Sequence, residues 1–178
     1  VLQNHELRML KGVLQVSQMQ VREVMIPRSQ MVVLDRETPI PQLLSTIVEC
    51  GHSRYPVIGE DRDEVVGILL AKDVLKFCIE MPGDNFDITE YLRSATFIPE
   101  SKRLDTLLQE FRTSRNHMAI VVDEYGGTSG LLTIEDVLEE IVGDIDDEHD
   151  PEEAQHIEDL GDHWNVLALT RIDEFNEF

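Results

Sequence analysis

Apolar residues stand at Ile40, Leu43, Leu44 and Ile47, and again at Leu104, Leu107, Leu108 and Phe111. Both sets follow i, i+3, i+4, i+7, the stripe of an amphipathic helix with one buried face. Each helix is preceded by a short apolar run that reads as a strand, Met31 to Asp35 or Thr96 to Pro99. Each is followed by two more, Tyr55 to Ile58 and Val65 to Leu70, or Met118 to Asp123 and Thr128 to Thr133. A second helix closes each set, Lys72 to Met81 or Ile134 to about Ile145. The pattern therefore predicts a β-α-β-β-α unit written twice.

The duplication extends to particular residues. "GILLAKD" (Gly67 to Asp73) and "GLLTIED" (Gly130 to Asp136) stand 63 residues apart, with Gly, the apolar pair and Asp in one register. Thr133 faces Leu70. Without a gap, Ser53 to Leu75 aligns onto Asn116 to Leu138, so Tyr55 falls on Met118; upstream the offset grows to 64. A unit of ~60 residues buries too little surface to be stable alone. Two copies are expected to share a core about a pseudo-two-fold axis, in a mixed α+β (α/β) fold. In the second copy, Gly126-Gly127 predicts a hairpin turn with positive φ. Glu80 to Asp87 reads as a linker between copies. Residues 5–25 carry Leu7, Leu10 and Leu14 at helical spacing, and Pro27 ends that helix.

Charge narrows the functions open to such a fold. The 178 residues carry a net charge of −21, so no basic field exists to attract nucleic acid or an anionic membrane. No apolar run approaches the ~20 residues of a bilayer span. Cys50 and Cys78 form no CxxC pair and read as packed thiols in a reducing, cytoplasmic setting. The histidines make no HExxH or Cys/His grouping; Pro151 and Gly161 interrupt any helix that would align His149, His156 and His163. No nucleophile and base can be paired, so catalysis is not expected. The chain lacks an initiator Met and stops at "NEF" in what reads as mid-helix, as an excised fragment would.

Thr133 and Asp136 are the candidate chemistry. An ionised Asp accepts both hydroxyls of a ribose, a charge-assisted contact of about 1.5–3 kcal/mol. A Thr at the first turn of a helix is placed to donate to a phosphate near the positive end of the dipole. Thr-x-x-Asp is equally a capping box, in which Thr133 caps the helix and Asp136 reaches back. The two roles are compatible, and Asp73 recurs where Leu70 cannot cap. An adenine slot is expected along Met25 and Ile26 and along Tyr55, Pro56 and Val57. Tyr55 serves equally as a stacking group or as a core contact, and Pro56 leaves its strand edge without a ladder donor. Arg54 is the favoured phosphate partner, ahead of Arg28, Arg115 and His117. Since Leu70 removes the hydroxyl from the first copy, one good site and one degenerate site are expected. From Glu135 to Asp162 there are fourteen Asp or Glu and no Lys or Arg. A polyphosphate there calls for a bridging hard cation, for which Mg²⁺ is suited. The run from Gly143 to Glu153 lacks EF-hand spacing and reads as a solvated linker.

The tandem unit ending in Gly-apolar-apolar-Thr-x-x-Asp resembles a pair of CBS domains, the Bateman module. "VREVMIPRSQM", "HSRYPVI" and "AIVVDEYGGTSGLLTIEDVLEEIVGDI" are similar to the CorC/HlyC branch. The resemblance implies residues 1–20 as a helical segment, 21–82 and 83–146 as the two repeats, and 147–162 as an acidic linker. Residues 163–178 then resemble the truncated start of the branch's transporter-associated domain. It also implies adenine-nucleotide binding (ATP or AMP) between the repeats and a homodimer of modules. The branch's role lies in magnesium and cobalt efflux or homeostasis, with a membrane transporter as partner and a cytoplasmic location at the membrane's inner face. A ligand-free dimerisation scaffold is the alternative.

Overall fold

The structure is a computed structural model that describes residues 4–61, 63–81, 86–143, 157–159 and 164–166. Helix α1 (Asn4–Val16) comes first, then a 3-10 turn, Val21–Glu23, and the two-residue strand β1 (Ile26–Pro27). The first repeat follows as β2 (Leu34–Asp35), α2 (Ile40–Cys50), β3 (Arg54–Ile58), β4 (Val65–Leu70) and α3 (Ala71–Glu80). The second is β5 (Phe97–Pro99), α4 (Leu104–Ser114), β6 (Met118–Val122), β7 (Thr128–Thr133) and α5 (Ile134–Val142). The duplicated β-α-β-β-α order is thus present. A separate unit from Asp144 onward contains an antiparallel pair, β8 (Ile157–Asp159) and β9 (Trp164–Val166). Strand β8 falls inside the stretch read as linker; the remaining acidic run, the three spaced histidines and the expected terminal helix lie outside the described residues.

Two small sheets hold the repeats together, β2-β3-β4 and β1-β7-β6-β5. Strand β1 belongs to the second repeat's sheet, although in sequence it lies at the start of the first repeat. Ile26 pairs with Leu131 and Pro27 with Gly130. The exchange is reciprocal, because Arg93, just ahead of β5, bridges to Ile68 on β4. This explains the repeated glycines. A Cβ on Gly130 would strike the carbonyl oxygen of Ile26, and one on Gly67 would strike that of Arg93. Each glycine lets a crossing backbone lie directly on its strand.

The strand register corrects the alignment read from sequence. Tyr55 pairs with Leu69, whereas Ala119 pairs with Leu132. Tyr55 therefore corresponds to Ala119, not to Met118. Likewise the amide of Ala71 donates to the Ser53 carbonyl and that of Ile134 to the His117 carbonyl. The offset of 64 continues through β3 and β6, and the step to 63 falls in the hairpin turns. Both strands are apolar on both faces, so composition alone leaves their register free.

Burial follows the pleat. Tyr55, Val57 and Leu69 face one cluster with Leu43, Ile47 and Val74. Ala119, Val121 and Leu132 face its counterpart with Leu107, Phe111 and Val137. The opposite faces meet between the repeats, where Ile68, Val65, Met31, Met118, Ile120 and Leu131 form a third cluster. Cys50 and Cys78 are free thiols packed against the first cluster. Phe86, read as linker, also packs there, with its ring 4.9 Å from Phe77 and 4.8 Å from Tyr91. Only Gly126 of the Gly-Gly pair has positive φ, at 85°.

The N-terminal helix is shorter than its pattern predicts and faces the other way. It stops at Val16, and Leu7, Leu10 and Leu14 are exposed. It meets α5 through Gly12, where a Cβ would collide with the Ile141 carbonyl, and through the buried Val16. The close approach of two helix backbones selected the small residue over the leucines. Arg103 donates to the Ser17 carbonyl and fastens the helix end to the second repeat. No helix among the described residues is long and apolar enough to cross a membrane.

Candidate functional site

Strand β7 runs without a break into α5, and Thr133 is the N-cap between them. Asp136 Oδ2 accepts from the Thr133 amide and from Thr133 Oγ, each at 2.7 Å. The Asp136 amide donates back to Thr133 Oγ at 3.3 Å. The capping box is therefore formed. It also spends the Thr133 hydroxyl proton on Asp136, so donation to a phosphate would require that hydroxyl to rotate. Asp136 Oδ1 makes no hydrogen bond among the described residues and stays available to an external donor.

These two residues line a cleft of about 370 Å³ at the junction of the repeats. The second repeat supplies Thr133, Glu135, Asp136, Met118 and Leu131. The first supplies Gly51, His52, Ser53, Arg54 and Pro56, and the crossing segment adds Ile26, Gln30, Met31 and Val32. Five of the eight residues expected from sequence thus meet in one place: Ile26, Arg54, Pro56, Thr133 and Asp136. The other three do not line it. Tyr55 and Val57 are fully buried in the first repeat's core, and that burial pushes the Tyr55 hydroxyl above its ordinary pKa. Alternate residues of β3 point to opposite faces, so Pro56 lines the cleft while Tyr55 and Val57 on either side of it enter the core. Met25 packs against the second core and reaches Gly130 through its sulfur.

Pro56 lies on the middle strand of its sheet rather than on an edge strand. Even so, β2 pairs only with Val57 and Ile58, so β3 has no β2 neighbour at Pro56 and the absent amide breaks no ladder. Of the weaker cation candidates, Arg28 is held by Asp63 at 2.8 Å. His117 lies 3.9 Å from Glu135. Arg115 is the left-handed residue that ends α4. Sequence reasoning missed His52, Ser53, Gln30 and Met118. Polar residues just before a strand carry no periodicity, and only the meeting of the repeats makes them neighbours.

The first repeat's equivalent helix start is occupied from within. Asp73 takes the place of Asp136, and Arg93 Nη2 lies 3.0 Å from its Oδ2. Arg93 bridges to Ile68 as Ile26 pairs with Leu131, so the apolar wall of one site is a cation in the other.

A family model described as the CBS domain matches residues 21–80 and 88–143. The chain belongs to the CBS-domain family, in its CNNM/CorC branch. It is 56% identical to a magnesium and cobalt efflux protein CorC of Vibrio cholerae over 178 residues, covering 97% of this chain and 60% of that protein. The Escherichia coli K12 protein of the same name is 51% identical over 170 residues, covering 95% and 58%. The chain therefore spans less than two thirds of the curated relatives it matches. Among solved structures, the CBS domain of a bacterial CNNM/CorC family Mg²⁺ transporter in complex with ATP superposes with a TM-score of 0.73 at 41% identity, covering 79% of this chain and 99% of that one. A CBS-domain pair with bound AMP from Klebsiella pneumoniae gives 0.62 at 27% identity, covering 71% and 100%. The two curated relatives carry transport names rather than enzyme names. Among the described residues, no three His, Cys, Asp or Glu side chains cluster to hold a metal ion.

Proposed function

We propose that this CBS pair is the regulatory adenine-nucleotide-binding module of a magnesium and cobalt efflux or homeostasis protein. The observation that carries the reading is a cleft built by both repeats with the Asp136 carboxylate on its lining. Asp136 Oδ1 would accept the ribose hydroxyls. Ile26, Met31, Pro56 and Met118 would form the apolar slot for the base, and Arg54 would meet the phosphates. Because residues of both repeats line the cleft, a ligand there favours one arrangement of the repeats over others, and that preference can pass to attached domains. Glu135 beside the phosphates favours a hard cation shared between its carboxylate and the phosphate oxygens. The relatives described with ATP and with AMP support the ligand class.

The module would pair with a second copy through α2 and α3, where Val48 and Ile79 are 78% and 79% exposed. Both are large apolar side chains left in solvent on a highly charged chain, and burying them would favour such a pairing. A transport domain of the same or another chain would receive the nucleotide signal.

Calorimetric titration with ATP, ADP and AMP, with and without Mg²⁺, tests the nucleotide reading. Saturable binding should weaken about tenfold to a hundredfold in Asp136→Ala. One observation favours the scaffold alternative: the capping box by itself accounts for both Thr133 and Asp136. Absence of heat from every nucleotide would leave the scaffold standing.

A further inference from the structure

Helix α1 carries apolar residues on two opposite faces. One is occupied. Gly12 lies against the Ile141 carbonyl of α5, Val16 is buried in the second repeat's core, and Met9 is half-buried on the same side. The other face holds Leu7, Leu10, Val13 and Leu14, each half or more exposed. Leu7, Leu10 and Leu14 follow i, i+3, i+7, the a, d, a positions of a heptad, and Gly12 then falls at f, opposite that seam. A helix apolar all round is ordinarily buried all round; this one is buried on one side. It also lies outside residues 21–80 and 88–143, which match the CBS domain, so the common architecture of that domain does not account for the seam.

Charge narrows what can cover it. The chain carries −21 in all, so two copies repel over most of their surfaces. Residues 1–20 hold one acidic and two basic residues, so here two copies can meet without that repulsion. With Leu7 at a, Glu6 occupies g and Lys11 occupies e. In a parallel pair of helices, g of one strand faces e of the other, about five residues further on. Glu6 of one copy would then meet Lys11 of the other, twice by symmetry. An antiparallel pair would set like charges against each other.

We infer that α1 is a docking seam for α1 of a second copy of this chain, in parallel register through Leu7, Leu10 and Leu14. Three leucines per copy fall short of the ~1,000 Å² that a stable interface buries. The seam therefore adds to a wider contact, and it rests on the pairing proposed through α2 and α3, which it extends to the other repeat. Because α1 packs on α5 and is fastened by Arg103, the seam ties the two second repeats to each other.

The test is self-crosslinking of single cysteines in the whole chain, with Cys50 and Cys78 replaced by Ala. Leu7→Cys, Leu10→Cys and Leu14→Cys should each give a covalent homodimer on mild oxidation with diamide. Gln15→Cys, exposed at position b, should not, because a disulfide needs equivalent Cα atoms within ~7 Å. In sedimentation equilibrium, Leu10→Glu should raise the dimer Kd about tenfold or more, with the circular dichroism unchanged. A dimer crosslinked by Leu10→Cys but by neither Leu7→Cys nor Leu14→Cys would be antiparallel and would overturn the inference. So would crosslinking of Gln15→Cys as readily as the leucine positions, or a dimer that Leu10→Glu leaves intact and Ile79→Glu dissolves; both outcomes spare the pairing through α2 and α3. If the chain stays monomeric at every concentration, that pairing fails first and the seam with it.

Discussion

The starts of α3 and α5 occupy equivalent places in two copies of one unit, yet they are satisfied by different chemistry. At α5, Thr133 and Asp136 cap each other and line a cleft. At α3, Leu70 is the N-cap without a side-chain hydrogen bond, is buried, and leaves Asp73 to the guanidinium of Arg93. A duplicated fold supplies two scaffolds of the same shape, and the few positions that differ decide which one faces a ligand. Here the differences are paired. The copy that lost its hydroxyl also gained an internal cation opposite its carboxylate, so neither group is left without a partner.

The sharpest way to break the comparison is to ask whether the copies are equal as folding units. Leu69 and Leu132 are equivalent and fully buried. Replacing either by Ala should cost about 2–5 kcal/mol. In urea denaturation both variants should keep a single transition, because the shared inter-repeat cluster couples the cores; two separated transitions would show the copies folding independently.

A smaller effect is expected at the contact that ties the repeats at their turns. Asp63 Oδ1 accepts from the amide of the buried Thr128 at 2.9 Å and pairs with Arg28. The Asp123 carboxylate, in the second repeat's turn, accepts from the amides of Tyr125 and Gly127 within its own turn. Asp63→Ala should therefore destabilise by about 1–3 kcal/mol, more than Asp123→Ala does, as read from denaturation midpoints.

Making one helix start resemble the other is gentler still. Thr133→Leu removes the N-cap and should cost about 1 kcal/mol, seen as a lowered Tm. The reverse change, Leu70→Thr, should also lower Tm, since the apolar area lost from a buried position exceeds what a new cap returns. A gain in stability there would refute the view that Leu70 is held by packing. The smallest effect belongs to the Arg93–Asp73 pair. Its guanidinium side is largely solvent-facing, so a double-mutant cycle should give below about 1 kcal/mol, shrinking as salt is raised.

Periodicity alone disclosed the first helix of each repeat, because a stripe at i, i+3, i+4, i+7 is buried on one face by a helix. The recurrence of Gly, an apolar pair and Asp disclosed that the unit was doubled, and Thr133 opposite Leu70 singled out the copy with the richer chemistry. Those facts are local and need no neighbour. Tertiary structure decided the rest. Strands apolar on both faces do not announce their register, so only pairing placed Tyr55 opposite Leu69, in the core and off the cleft. A two-residue strand has no period, so the crossing of Ile26 onto Leu131 became visible only in the fold. Arg54 and Lys72 are likewise eighteen positions apart in the chain, and they line one cavity because β3 and β4 lie side by side. Sequence sets what each segment can bury, but which groups share a space depends on how the buried faces fit together, and that is a property of the assembled chain.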